Sequence, residues 1–135
     1  MSISNSLRED IVGYLQRCEF RALCDNYCHD NFLWTIKGSS LLSGTYHNKE
    51  TFFTDVIGRL SNVLKGEWKM NILDTYVDNN TMIIEMVGNI KAKNDKNYNN
   101  EYCWIFKFDN NKIVSITAYY DSLLVNTTLN ENENH

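Results

Sequence analysis

Not one of the 135 residues is proline, and only six are glycine. The first absence excludes polyproline linkers and a Pro-rich tail. It also leaves every strand free of a residue that cannot donate to the ladder. Cysteine is sparse: Cys18, Cys24, Cys28 and Cys103 are too few for a disulfide-dense scaffold. No apolar run approaches the roughly 18 residues of a membrane helix, and there is no collagen period. Positive charge is not in excess. Thirteen Lys and Arg face seventeen Asp and Glu, for a net charge of -4, and the cations are scattered. That pattern argues against a nucleic-acid footprint and against electrostatic attraction to anionic lipid. Met1-Ser2-Ile3-Ser4-Asn5-Ser6 has neither a basic nor an apolar stretch, so a cytoplasmic protein is expected.

What is present is 43% hydrophobic and 13% aromatic, in a length that suits one domain. A chain of this size buries roughly two-thirds of the surface that its unfolded form exposes. One domain over 1–125 is expected, followed by a polar, low-complexity tail over 126–135 that frays. Cys24 and Cys28 stand four apart on a predicted helix, beside His29. Two thiolates at that spacing could share a metal. However, His29 is turned about 100° from Cys28, and no fourth ligand is evident. The cysteines read instead as small core hydrophobes, and neither metal nor cofactor is expected.

Ser6-Leu7-Arg8-Glu9 reads as a capping box, followed by Ile11, Val12, Leu15 and Cys18 at helical spacing. A short second helix carries Phe20, Leu23, Cys24 and Tyr27 and ends near His29-Asp30-Asn31. Residues 32–37 alternate as a strand and stop at Gly38. Asn48 caps the strongest helix, whose stripe runs Phe52, Phe53, Val56, Ile57, Leu60, Val63, Leu64 and ends at Lys65-Gly66. Strands are then predicted over 68–77, 81–93, 98–108 and 112–125, with Gly88 as a bulge. The order predicts an α+β fold in which a curved antiparallel sheet wraps helices and encloses a cone-shaped cavity.

The last hairpin decides what faces that cavity. A two-residue turn at Asn110-Asn111 sets Phe108 opposite Ile113, Trp104 opposite Thr117 and Tyr102 opposite Tyr119, with Asp121 on the same face. A bulged loop shifts the pairing by one and sets Asp121 opposite Asn99, near Glu101. The first register is preferred because it gathers the large aromatics together. Asp121 then stands in an apolar cavity, where desolvation raises a carboxyl pKa and suits it to acid/base work. The alternative is a strand-end Asp that caps a turn or pairs with a surface cation. Tyr119 and Tyr102 could donate to an oxyanion. Glu85, mid-strand among apolar residues, either faces a pocket or pairs on the outer face. Trp34 reads more readily as core than as a ligand platform.

Asp30-Asn31-Phe32-Leu33-Trp34-Thr35-Ile36-Lys37-Gly38 and Leu42-Ser43-Gly44-Thr45-Tyr46-His47-Asn48-Lys49-Glu50 resemble the nuclear transport factor 2-like (NTF2-like) superfamily, in its SnoaL-like and ketosteroid isomerase-like branch. Tyr102-Cys103-Trp104-Ile105-Phe106-Lys107-Phe108, Asn111-Lys112-Ile113 and Tyr119-Tyr120-Asp121-Ser122 continue the likeness, which spans residues 10–125. The resemblance implies a cone of antiparallel sheet closed by three helices, often dimeric through the outer sheet face. The isomerases' base aspartate matches Thr35, their oxyanion-hole aspartate matches Trp104, and their oxyanion tyrosine could match Tyr14. The two changes disfavour steroid isomerisation. The polyketide cyclases' acid/base aspartate matches Asp121.

Two readings follow. One is a cofactor-independent acid/base enzyme of isomerase, cyclase or dehydratase type on a small, mostly apolar molecule. Asp121 and Tyr119 would act, with Trp34, Tyr102, Trp104, Tyr14 and Glu85 around the substrate. The other is a non-catalytic ligand-binding or dimerising module, since one fold hosts many functions. A homodimer through the outer sheet face is expected in either case.

Overall fold

The computed structural model describes residues 3–133. Its elements are α1 (Asn5–Gln16), α2 (Phe20–Tyr27), β1 (Cys28–Ile36), β2 (Gly44–Tyr46), α3 (Lys49–Phe52), a π-helical segment (Phe53–Gly58), α4 (Arg59–Ser61), β3 (Leu64–Asp78), β4 (Thr81–Ala92), β5 (Glu101–Asp109), β6 (Lys112–Tyr120) and α5 (Ser122–Asn132). No helix among the described residues is long and apolar enough to cross a membrane.

The six strands form one open, curved sheet in the order β2-β1-β6-β5-β4-β3. Every pairing is antiparallel except β1 with β6, which is parallel. A parallel neighbour needs a long return connection, and residues 37–111 supply it. The helices cover one face of the sheet. Leu7, Ile11 and Leu15 of α1, with Phe20 and Leu23 of α2, bury their apolar stripes there.

Local differences from expectation have identifiable causes. α1 starts from Ser4, whose Oγ accepts from the Leu7 amide at 3.1 Å; Ser6 is already helical. Just before that cap, buried Ile3 donates its amide to Asn79 O at 3.0 Å, which pins the chain's entry. α2 ends at Tyr27, because residues from Cys28 onward pair with β6. The long helix keeps its Asn48 cap and its buried Phe52, Phe53, Val56 and Leu60, but widens into a π segment and stops at Ser61. In that widened turn the Phe53 carbonyl comes so close to residue 58 that a Cβ there would stand 3.0 Å from it. Lys65 and Gly66 lie in β3 rather than at a helix end.

Gly88 does not form a bulge. It pairs in register with Met70, and β3 breaks instead between Lys65 and Lys69 and between Ile72 and Asp74. The second break leaves Leu73 as the extra residue, 62% exposed. An added residue bends and twists its strand, so the sheet's curvature is built into β3.

The expected frayed tail is a helix. α5 buries Val125, Thr128, Leu129 and Asn132 against the domain. Asn132 Oδ1 accepts from the Asn94 amide at 2.9 Å, and Arg59 makes a two-pronged ion pair with Glu133 at 2.8 and 3.0 Å. The domain therefore continues through residue 133, and the tail's last two positions, 134 and 135, lie outside the described residues.

Candidate functional site

The concave face of the sheet and the helices over it enclose one small apolar cavity of about 40 Å³. On the measure by which one water needs roughly 10–15 Å³, that is room for a molecule of a few heavy atoms. Trp34 and Ile36 of β1, Trp68 and Met70 of β3, Tyr102 and Trp104 of β5, and Ala118 and Tyr120 of β6 supply the sheet side. Phe20, Phe52, Val56, Ile57 and Leu60 close it from the helices, with Val125 of α5 and Tyr98 at the end. No Asp, Glu, His, Lys or Arg contributes to this lining.

Most of the cone is filled by rings. Trp34 stacks on Phe52 with centroids 3.9 Å apart and stands edge-on to Trp104 at 5.4 Å. Phe20 lies 5.5 Å from Trp68 and 5.8 Å from Trp104. Edge-to-face arrangements of this kind add to plain area burial. No polar atom of the lining is exposed to the cavity, and the phenol hydroxyls beside it are engaged elsewhere. The Tyr120 hydroxyl is held by Ser40 Oγ at 2.6 Å and Ser43 Oγ at 3.0 Å. Tyr98 is buried, and its hydroxyl accepts from Asn100 Nδ2 at 3.3 Å. Burial pushes the phenols of Tyr98 and Tyr102 above their ordinary value, Tyr102 well above it. Burial alone pushes the nearby Cys18 thiol up to about 12. The indole N–H groups of Trp68 and Trp104 are buried and have no acceptor among the described residues. An unpaired buried donor costs about 1–3 kcal/mol.

The structure places three of the expected site residues in the cavity wall, gathers Asp121, Tyr119 and Glu85 outside it in an open groove, and leaves Tyr14 apart. Trp34, Tyr102 and Trp104 share the cavity wall. Asp121 does not: it is exposed, and its carboxylate caps α5 by accepting from the Leu124 amide at 3.1 Å. Tyr119 is 46% exposed on the outer face, opposite Cys103. The cause is register. The hairpin turns on Asn110 and Asn111, both at positive φ, and Phe108 meets Ile113 as expected. Val114 is then an extra residue, so Lys107 pairs with Ser115, Trp104 with Ala118 and Tyr102 with Tyr120. A one-residue slip turns every later side chain to the other face; it takes Tyr119 out of the cone and puts Tyr120 in.

Glu85 also faces outward, accepting from the Tyr76 hydroxyl at 2.8 Å. Tyr14 lies on the outside of α1, where its hydroxyl accepts from Asn26 Nδ2 at 3.0 Å and Arg17 sits over its ring. Sequence reasoning overlooked Trp68, Tyr98, Tyr120 and Asn100. Trp68 could have been found from its alternation with Met70 and Ile72. Nothing in the chain announces the extra residue at Val114 that admits Tyr120.

The Cys24 and Cys28 sulfurs lie 3.3 Å apart, and no group of three or more His, Cys, Asp or Glu side chains among the described residues is placed to hold a metal ion. The Cys24 thiol is pushed far up, by its hydrogen bond with Cys28 and by burial. The pair behaves as core.

No protein-family model matches the chain, and no curated protein matches it. Solved structures do. An NTF2-like protein from Burkholderia thailandensis superposes with a TM-score of 0.77 at 18% identity, covering 92% of this chain and 95% of that one. An NTF2-like protein of unknown function from Burkholderia pseudomallei gives 0.76 at 13% identity, over 94% and 98%. A protein from Jannaschia sp. CCS1, provisionally named a SnoaL-like polyketide cyclase, gives 0.72 at 8% identity, over 96% of each chain. The chain has the NTF2-like fold, as the sequence resemblance implied.

Proposed function

We propose that this chain binds a small, mostly apolar molecule inside the cone, as a ligand-binding module rather than as an acid/base enzyme working through Asp121. The observation that carries the reading is the lining: an apolar pocket walled by aromatic rings, with no carboxylate, imidazole or amine in it. Pockets of this kind take apolar ligands and orient them with few polar groups. Proton transfer within the cone would need a titratable group in hydrogen-bond reach of the substrate, and the Asp121 carboxylate is engaged at the start of α5.

A thermal-shift screen of small cyclic hydrocarbons and ketones tests the reading, because a bound ligand stabilises the folded state by mass action. Binders are expected to raise the unfolding midpoint of the native chain. Ala118→Leu, which fills the cavity from β6, is expected to abolish that rise. No shift with any compound, or an undiminished shift in Ala118→Leu, overturns the reading.

We also propose that a second copy of the chain covers the outer sheet face. Leu73 and Tyr119 are exposed there, 62% and 46%, beside half-buried Val87, Cys103 and Ile105. Exposed apolar surface, here interspersed with Glu85 and Glu101, suits an interface. Gel filtration at micromolar concentration should give a dimer that Tyr119→Lys dissociates; a monomeric native chain refutes it.

A further inference from the structure

The cavity in the cone offers about 40 Å³, about three or four water-sized sites at roughly 10–15 Å³ each. No polar atom of its lining is exposed to it. The Tyr120 hydroxyl is held by Ser40 and Ser43, and that of Tyr98 accepts from Asn100. The indole nitrogens of Trp68 and Trp104 are closed off, and Trp68 Nε1 packs over Gly88. A water in the cavity would find none of the roughly two to four polar partners that a buried water needs, so water does not compete for the site. We infer that the cavity selects a compact hydrocarbon of about four carbons and rejects its carbonyl and alcohol counterparts. The inference rests on the ligand-binding reading above and narrows it to one chemical class.

The lining decides between molecules of equal shape. A carbonyl oxygen moved from water into this cavity loses its hydrogen bonds and gains none, which costs about tenfold or more in affinity. A hydroxyl has the same defect and adds an unpaired donor. An anion or an ammonium ion loses more still, because no charged side chain of either sign lines the cavity. A hydrocarbon gives up no hydrogen bond. It gains dispersion contacts with the rings of Trp34, Phe52 and Trp104 and with the Val56, Ala118 and Val125 methyl groups, which otherwise face empty space.

The test uses the full chain with carbon-13 in its valine and alanine methyl groups, where Val56, Val125 and Ala118 report on the cavity. Isobutene and acetone are titrated separately at neutral pH; they share a shape and differ in a methylene for the carbonyl oxygen. The expected result is saturable movement of those signals with isobutene, at an affinity at least about tenfold above that for acetone. Ala118→Leu, which fills the cavity, should abolish the response to isobutene. A smaller ratio, or tighter binding of acetone, overturns this inference and leaves ligand binding in the cone standing. No movement with either compound, or an undiminished response to isobutene in Ala118→Leu, overturns both. If Ala118→Leu does not fold, the two titrations of the native chain decide.

Discussion

Asn100 and Asp121 hold each other by two hydrogen bonds. The Asp121 amide donates to Asn100 Oδ1 at 2.9 Å, and Asn100 Nδ2 donates back to the Asp121 carbonyl at 3.1 Å. Asn100 is fully buried, while Asp121 stands at the surface and turns its carboxylate to the first turn of α5. The pair joins the end of β6 to the start of α5, and its chemistry is that of a chain-reversal clamp. Asn100→Ala leaves an amide and a carbonyl unpaired and is expected to cost about 2–3 kcal/mol in urea unfolding. Asp121→Ala should cost about 1 kcal/mol and Asp121→Asn only a few tenths, because Asn caps as well as Asp. An Asn variant as damaging as the Ala variant would show that the charge matters for more than capping.

The last helix makes a second prediction. Leu129 is fully buried, whereas Leu123, six residues earlier on the same helix, is 75% exposed. Leu129→Ala should destabilise by about 2–5 kcal/mol, the range for truncation of a core leucine. Leu123→Ala should stay within about 0.5 kcal/mol. Denaturant midpoints for the two variants measure the difference, and similar losses would mean that α5 does not dock as described.

Thiol labelling checks the cysteines. Burial pushes Cys18 up to about 12. Cys24 is pushed up further by its contact with Cys28. The thiolate is the reactive form, so neither should be alkylated by iodoacetamide in the folded chain near neutral pH. Both should react fully in denaturant. Mass spectrometry of peptides labelled before and after unfolding reads the result; rapid native labelling of Cys24 would contradict its place in the core.

Alkaline stability gives the sign of a linkage. The folded state holds the Tyr102 proton well above the ordinary phenol value, chiefly through burial, and that of Tyr98 in the same direction. Raised folded pKa values contribute stability that is complete below the unfolded value, about 10 for tyrosine, and lost as pH rises past it. Melting temperature should therefore fall from about pH 10 upward. Tyr102→Phe, with no phenol to ionise, should fall less steeply; equal slopes would show that Tyr102 is not desolvated.

Much of this architecture was legible in the chain. The alternation of Trp34 with Phe32 and Ile36, the stripe from Phe52 to Leu60, and the turns at Asn79-Asn80 and Asn110-Asn111 are local patterns, set by a period of two or of 3.6 and by residues that tolerate positive φ. They determined the order of the main helices and strands up to β6, the α+β class and the shared face of Trp34, Tyr102 and Trp104. The last helix was not legible, because its buried residues are two aliphatics among Asn and Thr. Nor was the face on which Tyr119, Tyr120 and Asp121 emerge. One extra residue at Val114 and the Asn100 clamp decide that, and both depend on how β5 and β6 lie against each other and not on alternation along either strand. Alternation along a strand says which residues share a face; only the strand lying alongside says which face is inside. The sequence by itself therefore determined which aromatic residues share a face, and the tertiary structure decided how far they fill the cone and that the last-strand aspartate stands outside it.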